Sequence, residues 1–158
     1  MLLARCSSPE GYIETSNNPE ILLNYWHCKP SEKFDFNADS EKIEVKSNSN
    51  LERIHIFSSE QLNPTENNQI VIVFLFTKQK VRGRSIDDLL LLIKEKITEN
   101  ELIEKLFFIV SKTLGNTIEQ SLKIKFDYDL AKNSLEFYKH QDISKIDKIN
   151  IPYKISGN

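Results

Sequence analysis

Seven consecutive apolar residues, Ile70-Val71-Ile72-Val73-Phe74-Leu75-Phe76, interrupt a chain in which apolar and polar positions otherwise mix closely. A run of this length, apolar at every position and rich in β-branched and aromatic residues, predicts a central strand covered on both faces. Upstream the spacing shortens to a period of two. "KFDF" (33–36) and "KIEVKS" (42–47) read as two strands joined by a polar turn around Ala38 and Asp39. "RIHIF" (53–57) reads as a third, with Ile54 and Ile56 on one face and His55 on the other. "ILLNYW" (21–26) is apolar enough to dock on a core as a helical turn or a short strand. Residues 1–20 carry the turn-rich clusters "SSPEG" and "TSNNPE" and predict an irregular segment.

Beyond residue 85 a helical period takes over. Ser85 stands as N-cap to "IDDLLLLIKEKI", with Asp87 and Asp88 in the first turn, where the helix dipole favours acids. Thr98 and Glu101 form the pattern of a capping box for a helix over 99–114, and Gly115 closes it. "SLKIKFDYDL" (121–130) alternates, with Leu122, Ile124, Phe126, Tyr128 and Leu130 on one face. Turned by "AKNS", it predicts a hairpin with "LEFYKH". The fold class is α/β (α+β): a mixed sheet flanked by helices, in one domain over 21–158.

Composition narrows the partners more than the fold. The 158 residues suit one domain with a real core. A hydrophobic share of 39%, with four glycines, is that of a globular chain. A net charge of −2 leaves nucleic-acid binding to a local basic patch, since global basicity is absent. Cys6 and Cys28 are too few for a disulfide scaffold, and with His27 they lack zinc-site spacing. They read as reduced thiols. No apolar run approaches a membrane span and no secretory signal is read, so a cytoplasmic location without membrane partners is expected.

The candidate chemistry lies in the strand pair. Successive side chains on a strand alternate between faces, so Glu44 and Lys46 share one face and Ile43 and Val45 the other. On the preceding strand Asp35 faces away from Phe34 and Phe36. Burying both apolar sets together fixes the parity of an antiparallel pairing and brings Asp35 to the Glu44/Lys46 face. A four-residue loop over 38–41 sets Asp35 opposite Glu44, and a two-residue loop is expected to leave the two diagonal. Facing carboxylates repel unless something positive lies between them. A divalent cation with hard oxygen ligands answers that need, Mg²⁺ being held by one or two carboxylates with water and substrate phosphate. Lys46 could then orient or deprotonate a water, or stabilise developing charge, in metal-assisted phosphodiester hydrolysis. A solvated, charged strand face is the plainer reading of the same triplet.

Asp35 followed by Glu44-Val45-Lys46 resembles the core motif of the PD-(D/E)XK nuclease superfamily, with Phe34 in the place of the proline. The longer stretch "YWHCKPSEKFDFNADSEKIEVKSNSNLERIHIFSSEQLNP" resembles the DUF4420 family within it. "LEFYKHQDISKI" and "INIPYKI" resemble that family's C-terminal strands, so the likeness runs from about residue 20 to the end. The resemblance implies a restriction-endonuclease-like core. It implies metal ligation by Asp35 and Glu44, catalysis by Lys46 and an auxiliary polar role for Gln61. It also implies Mg²⁺, with Mn²⁺ able to substitute, and an association with restriction or anti-phage defence. The expected function is therefore a metal-dependent DNA endonuclease. The alternative is a catalytically silent DNA-binding or assembly module that keeps the nuclease fold. Partners on this reading are DNA, other defence-system proteins and a second copy of the chain.

A basic stretch supports the DNA reading. "TKQKVRGRS" (77–85) places Lys78, Lys80, Arg82 and Arg84 where the chain leaves the central strand, and such cations grip a phosphate backbone. A solvated connection before a helix accounts for it equally. Arg53 is a further candidate for DNA contact and His55 for the acid side, while Trp26 reads as a core anchor.

Overall fold

The computed structural model describes residues 19–27, 34–38, 40–57 and 68–143. The closing "INIPYKI", both cysteines and the N-terminal cluster before Pro19 lie outside them. The expected central strand forms as β3 (Gln69–Phe76). It pairs in parallel with β2 (Glu41–Asn48) and antiparallel with β6 (Glu136–Lys139), and β1 (Phe36–Ala38) completes a four-stranded mixed sheet in the order β1-β2-β3-β6.

β3 is apolar from Ile70 to Phe76 because each face has its own core. Val73 and Leu75, with Ile43 and Val45 of β2, pack with the helices. Those are α1 (Pro19–Tyr25), α2 (Ile86–Glu95) and α3 (Asn100–Leu114), which contribute Leu23, Leu90, Ile93, Leu106 and Ile109 among others. Ile70, Ile72 and Phe74 form a smaller cluster on the opposite face with Phe34, Phe57, Tyr138 and Ile143. Trp26 is 3% exposed and stacks on Phe36 at 6.2 Å, the core anchor expected of it.

α2 starts as expected. Ser85 Oγ accepts from Asp88 N and the Asp88 carboxylate accepts from Ser85 N, a complete capping box. α3 does not. Glu99 occupies its N-cap without a side-chain bond, and Thr98 instead donates through N and Oγ1 to Glu20 Oε1 of α1, each at 2.7 Å. A carboxylate from another helix has displaced the local capping box, and these bonds hold Glu20 below the usual carboxylate range. Gly115 ends α3 at φ 53°, as its position suggests.

Further expectations are overturned. Residues 53–57 form no strand, and both edges of the preceding strand β2 are taken, by β1 and β3. The expected division of sides nevertheless holds: Ile54 and Ile56 are 71% and 93% exposed, while His55 packs on Phe74. The alternating stretch 121–130 is not one strand either. α4 (Ile118–Ser121), β5 (Lys125–Phe126) and α5 (Tyr128–Asn133) divide it, the last because the Asp127 side chain caps the Leu130 N–H. Its expected hairpin partner, β6, pairs with β3. Finally, the basic stretch is a strand, β4 (Gln79–Ser85), which pairs with β5 in a two-stranded sheet.

Candidate active site

The β1–β2 pairing runs Phe36↔Ile43, Asn37↔Lys42 and Ala38↔Glu41. The ladder thus extends one pair past the expected four-residue loop without changing register. Continued one step the other way, it sets Asp35 against Glu44. The strand itself begins only at Phe36, after a bend at Phe34 and Asp35. Phe34 and Phe36 consequently enter opposite core clusters and do not share the face expected of them. At the bend His27 N donates to Asp35 O at 3.0 Å. The side chain is fixed as well, Val45 N donating to Asp35 Oδ2 at 2.9 Å.

Asp35 and Glu44 are 4% and 3% exposed. Lys46, two residues along β2 and therefore on the same face as Glu44, donates from Nζ to Glu44 Oε1 at 2.6 Å. Taking two carboxylates out of water costs several kcal/mol per ion unless opposite charge and hydrogen bonds compensate, of the order of 5 kcal/mol each. The lysine and the Val45 N–H are two of those compensations. A hard cation is a third that this oxygen-only pair suits, since Mg²⁺ is characteristically held by one or two carboxylates with water and substrate oxygens. Among the described residues, no group of three or more His, Cys, Asp and Glu side chains could hold a metal.

The sheet register extends the face across β3 and β6. Glu44 lies opposite Ile72 and Tyr138 in turn, and Lys46 opposite Phe74 and Glu136. Phe74 is ringed by His55 at 4.6 Å, Tyr138 at 5.4 Å and Phe57 at 6.2 Å, and Lys46 Nζ stands 5.6 Å over the Phe57 ring. Burial first, then the positive charges of Lys46 and Arg53, holds the His55 imidazole below its ordinary value. Arg53 Nη2 donates to Ser134 O at 2.9 Å and pairs with Glu136 Oε1 at 2.7 Å, and its guanidinium lies 4.8 Å from the Phe76 centroid. Tyr138 donates its hydroxyl to Glu136 Oε2, which raises the phenol above its usual range.

The structure thus brings together Asp35, Glu44 and Lys46, with His55 beside them. Gln61 lies outside the described residues. Lys78, Lys80, Arg82 and Arg84 gather at β4, where Lys80 pairs with Asp127 at 2.9 Å and Arg84 stands over Tyr128 at 4.8 Å. The Asp127 bond raises Lys80 above its ordinary value, and Asp127 is lowered in return. Glu136 and Tyr138 were missed as neighbours of the site. Their shared parity in "LEFYKH" could have flagged them, had that strand been assigned to the right partner.

A mixed sheet with Glu44 and Lys46 on one face, Asp35 held against β2 just before β1, and helices packed on the other face defines an α+β domain with a PD-(D/E)XK-like core. The model of the DUF4420 family, described as candidate PD-(D/E)XK members, matches residues 10–157. The chain belongs to that family. No curated protein and no solved structure matches it.

Proposed function

We propose that the protein is a metal-dependent endodeoxyribonuclease of restriction or anti-phage type. One observation carries this reading: two nearly buried carboxylates, Asp35 just before β1 and Glu44 on β2, lie on the two arms of one β-hairpin, with the Lys46 ammonium against Glu44. Asp35 and Glu44 would hold Mg²⁺, with Mn²⁺ able to substitute, which when bound supplies Lewis-acid polarisation of the phosphate and an activated water. The remaining work belongs to the chain. The Val45 N–H fixes the Asp35 carboxylate in one orientation. Lys46 orients water near the scissile phosphate and offsets the charge that develops there. Lys78 and the cations of β4, Lys80, Arg82 and Arg84, supply the local positive charge that attracts the DNA. No helix among the described residues is long and apolar enough to cross a membrane.

Incubation with supercoiled plasmid and Mg²⁺ or Mn²⁺ tests the reading. Nicking is expected, lost on chelation and lost in Glu44→Ala. Plasmid binding without metal-dependent nicking, or nicking that survives Glu44→Ala, would instead support a silent binding module.

A further inference from the structure

The β4–β5 ladder contains an irregularity that the phosphate-gripping role leaves unused. Gln79 and Arg84 both stand opposite Phe126, so residues 80–83 are looped out of the strand between them. Gly83 makes this possible. A β-carbon there would meet Phe126 O at 2.1 Å and Lys80 O at 3.0 Å, so the backbones approach more closely than any side chain permits. Both flanks are pinned to one element. Lys80 Nζ donates to Asp127 Oδ2 at 2.9 Å, Asp127 N donates to Lys78 O at 2.8 Å, and the Arg84 guanidinium lies over the Tyr128 ring. Asp127 in turn caps α5. The tip carries Val81, 92% exposed, and Arg82, which is exposed and enters no ion pair among the described residues.

Lys80 and Arg84 are therefore occupied in holding the loop, and the tip offers one apolar side chain and one guanidinium. Burial in the fold does not explain either. A pinned loop loses little conformational entropy on binding, and its shape is set before contact. Lys78 and Lys80 favour a polyanion, although Asp127 and the exposed Asp129, which line one cleft with Lys80, Arg82 and Arg84, offset part of that charge. An arginine beside a small apolar residue is the pairing that suits the minor groove, where arginine senses a narrow, strongly negative groove and apolar side chains press on base steps.

We infer that residues 80–83 form a preset probe that enters the minor groove of duplex DNA, with Arg82 in the groove and Val81 against the base edges. This rests on the nucleic-acid reading above and adds a preference to it: narrow, A·T-rich minor grooves bind better than G·C duplexes.

Fluorescence anisotropy of the full chain, with EDTA to prevent cleavage and again with Ca²⁺, on two duplexes of equal length tests it. One duplex carries a central A-tract and the other is G·C-rich. The A-tract duplex should bind about tenfold more tightly, and netropsin, a minor-groove ligand, should displace the protein from it. Arg82→Ala and Val81→Asp, both at exposed positions, should erase the preference while some binding persists. Equal affinity for the two duplexes overturns the probe, as does an Arg82→Ala loss that is the same on both, which would make Arg82 a phosphate contact only. Equally tight binding of double-stranded RNA, whose minor groove is wide and shallow, also overturns it. Failure to bind any duplex overturns the nucleic-acid reading itself and the probe with it.

Discussion

Lys46 differs from Asp35 and Glu44 in sign, and the three should fail differently when removed. Asp35→Ala and Glu44→Ala each delete a proposed metal ligand while relieving repulsion between two carboxylates that are 4% and 3% exposed. Such variants should lose Mn²⁺ affinity, while in the metal-free protein the relieved repulsion offsets part of the cost of losing the Val45 N–H or Lys46 bond. Lys46→Ala keeps both acids but removes the ammonium held 2.6 Å from Glu44. It should still bind Mn²⁺, lose cleavage by roughly 10²–10⁴-fold, and melt at a lower temperature than the parent when metal-free. Calorimetric Mn²⁺ titration, melting curves and nicking assays on the three variants would check this. Equal loss of metal binding in all three would refute the division of roles. The shared face of Glu44 and Lys46 was legible from alternation, because side-chain parity on a strand is a local property, whereas the bend that places Asp35 before β1 was not. His55 was legible only in part: its neighbourhood depends on the sheet face beneath it, not on its own segment.

At the scale of single elements, features whose causes lie within a few residues are the readable ones. The Ser85–Asp88 capping box is such a case. Ser85→Ala should cost about 1 kcal/mol of stability. Asp88 also gives a pH signature. Its carboxyl sits below the ordinary 3.8, chiefly through the Ser85 N–H it accepts. A lowered folded-state value means that the contribution is present above pH 3.8 and fades as pH falls through the depressed value. The melting difference between Asp88→Ala and the parent should therefore be constant from pH 7 to about 5 and close as the acid limb is descended. Elements decided by distant partners were misread. Thr98 has a good capping pattern with Glu101, yet Glu20 arrives from another helix and takes both of its donors. The alternation through 121–130 is as regular as that of β2, but Asp127 starts a helix in its midst. β4 was read as a connection because its apolar content is one exposed valine, and nothing local to "QKVRGRS" announces a partner in β5.

Over the whole molecule, the two faces of β3 divide the labour. The helical face is a closed apolar core, and the other face mixes a small apolar cluster with the charged site. Leu106 is fully buried in the first, so Leu106→Ala should cost about 2–5 kcal/mol. Ile56, at 93% exposure, should tolerate serine within about 0.5 kcal/mol. Urea titrations of the two variants would compare them directly. Sheet order was the least legible property of all. The sequence supports a central β3, but nothing in 53–57 or 121–130 reveals that β2 and β6 flank it.

The parallel pairing of β2 with β3 also sets an order of events. A ribosome delivers Asp35, Glu44 and Lys46 together, within a hairpin that needs only its own turn to form. The strand that lies along β2 arrives later, after the chain has run from Asn48 to Gln69, and β6 later still. Contacts that close long loops form slowly compared with a hairpin. During synthesis the carboxylate pair is therefore first a hydrated, open hairpin and only afterwards a buried one. A chain halted short of Gln69 would carry every residue of the motif without the β3 and β6 surfaces that enclose it.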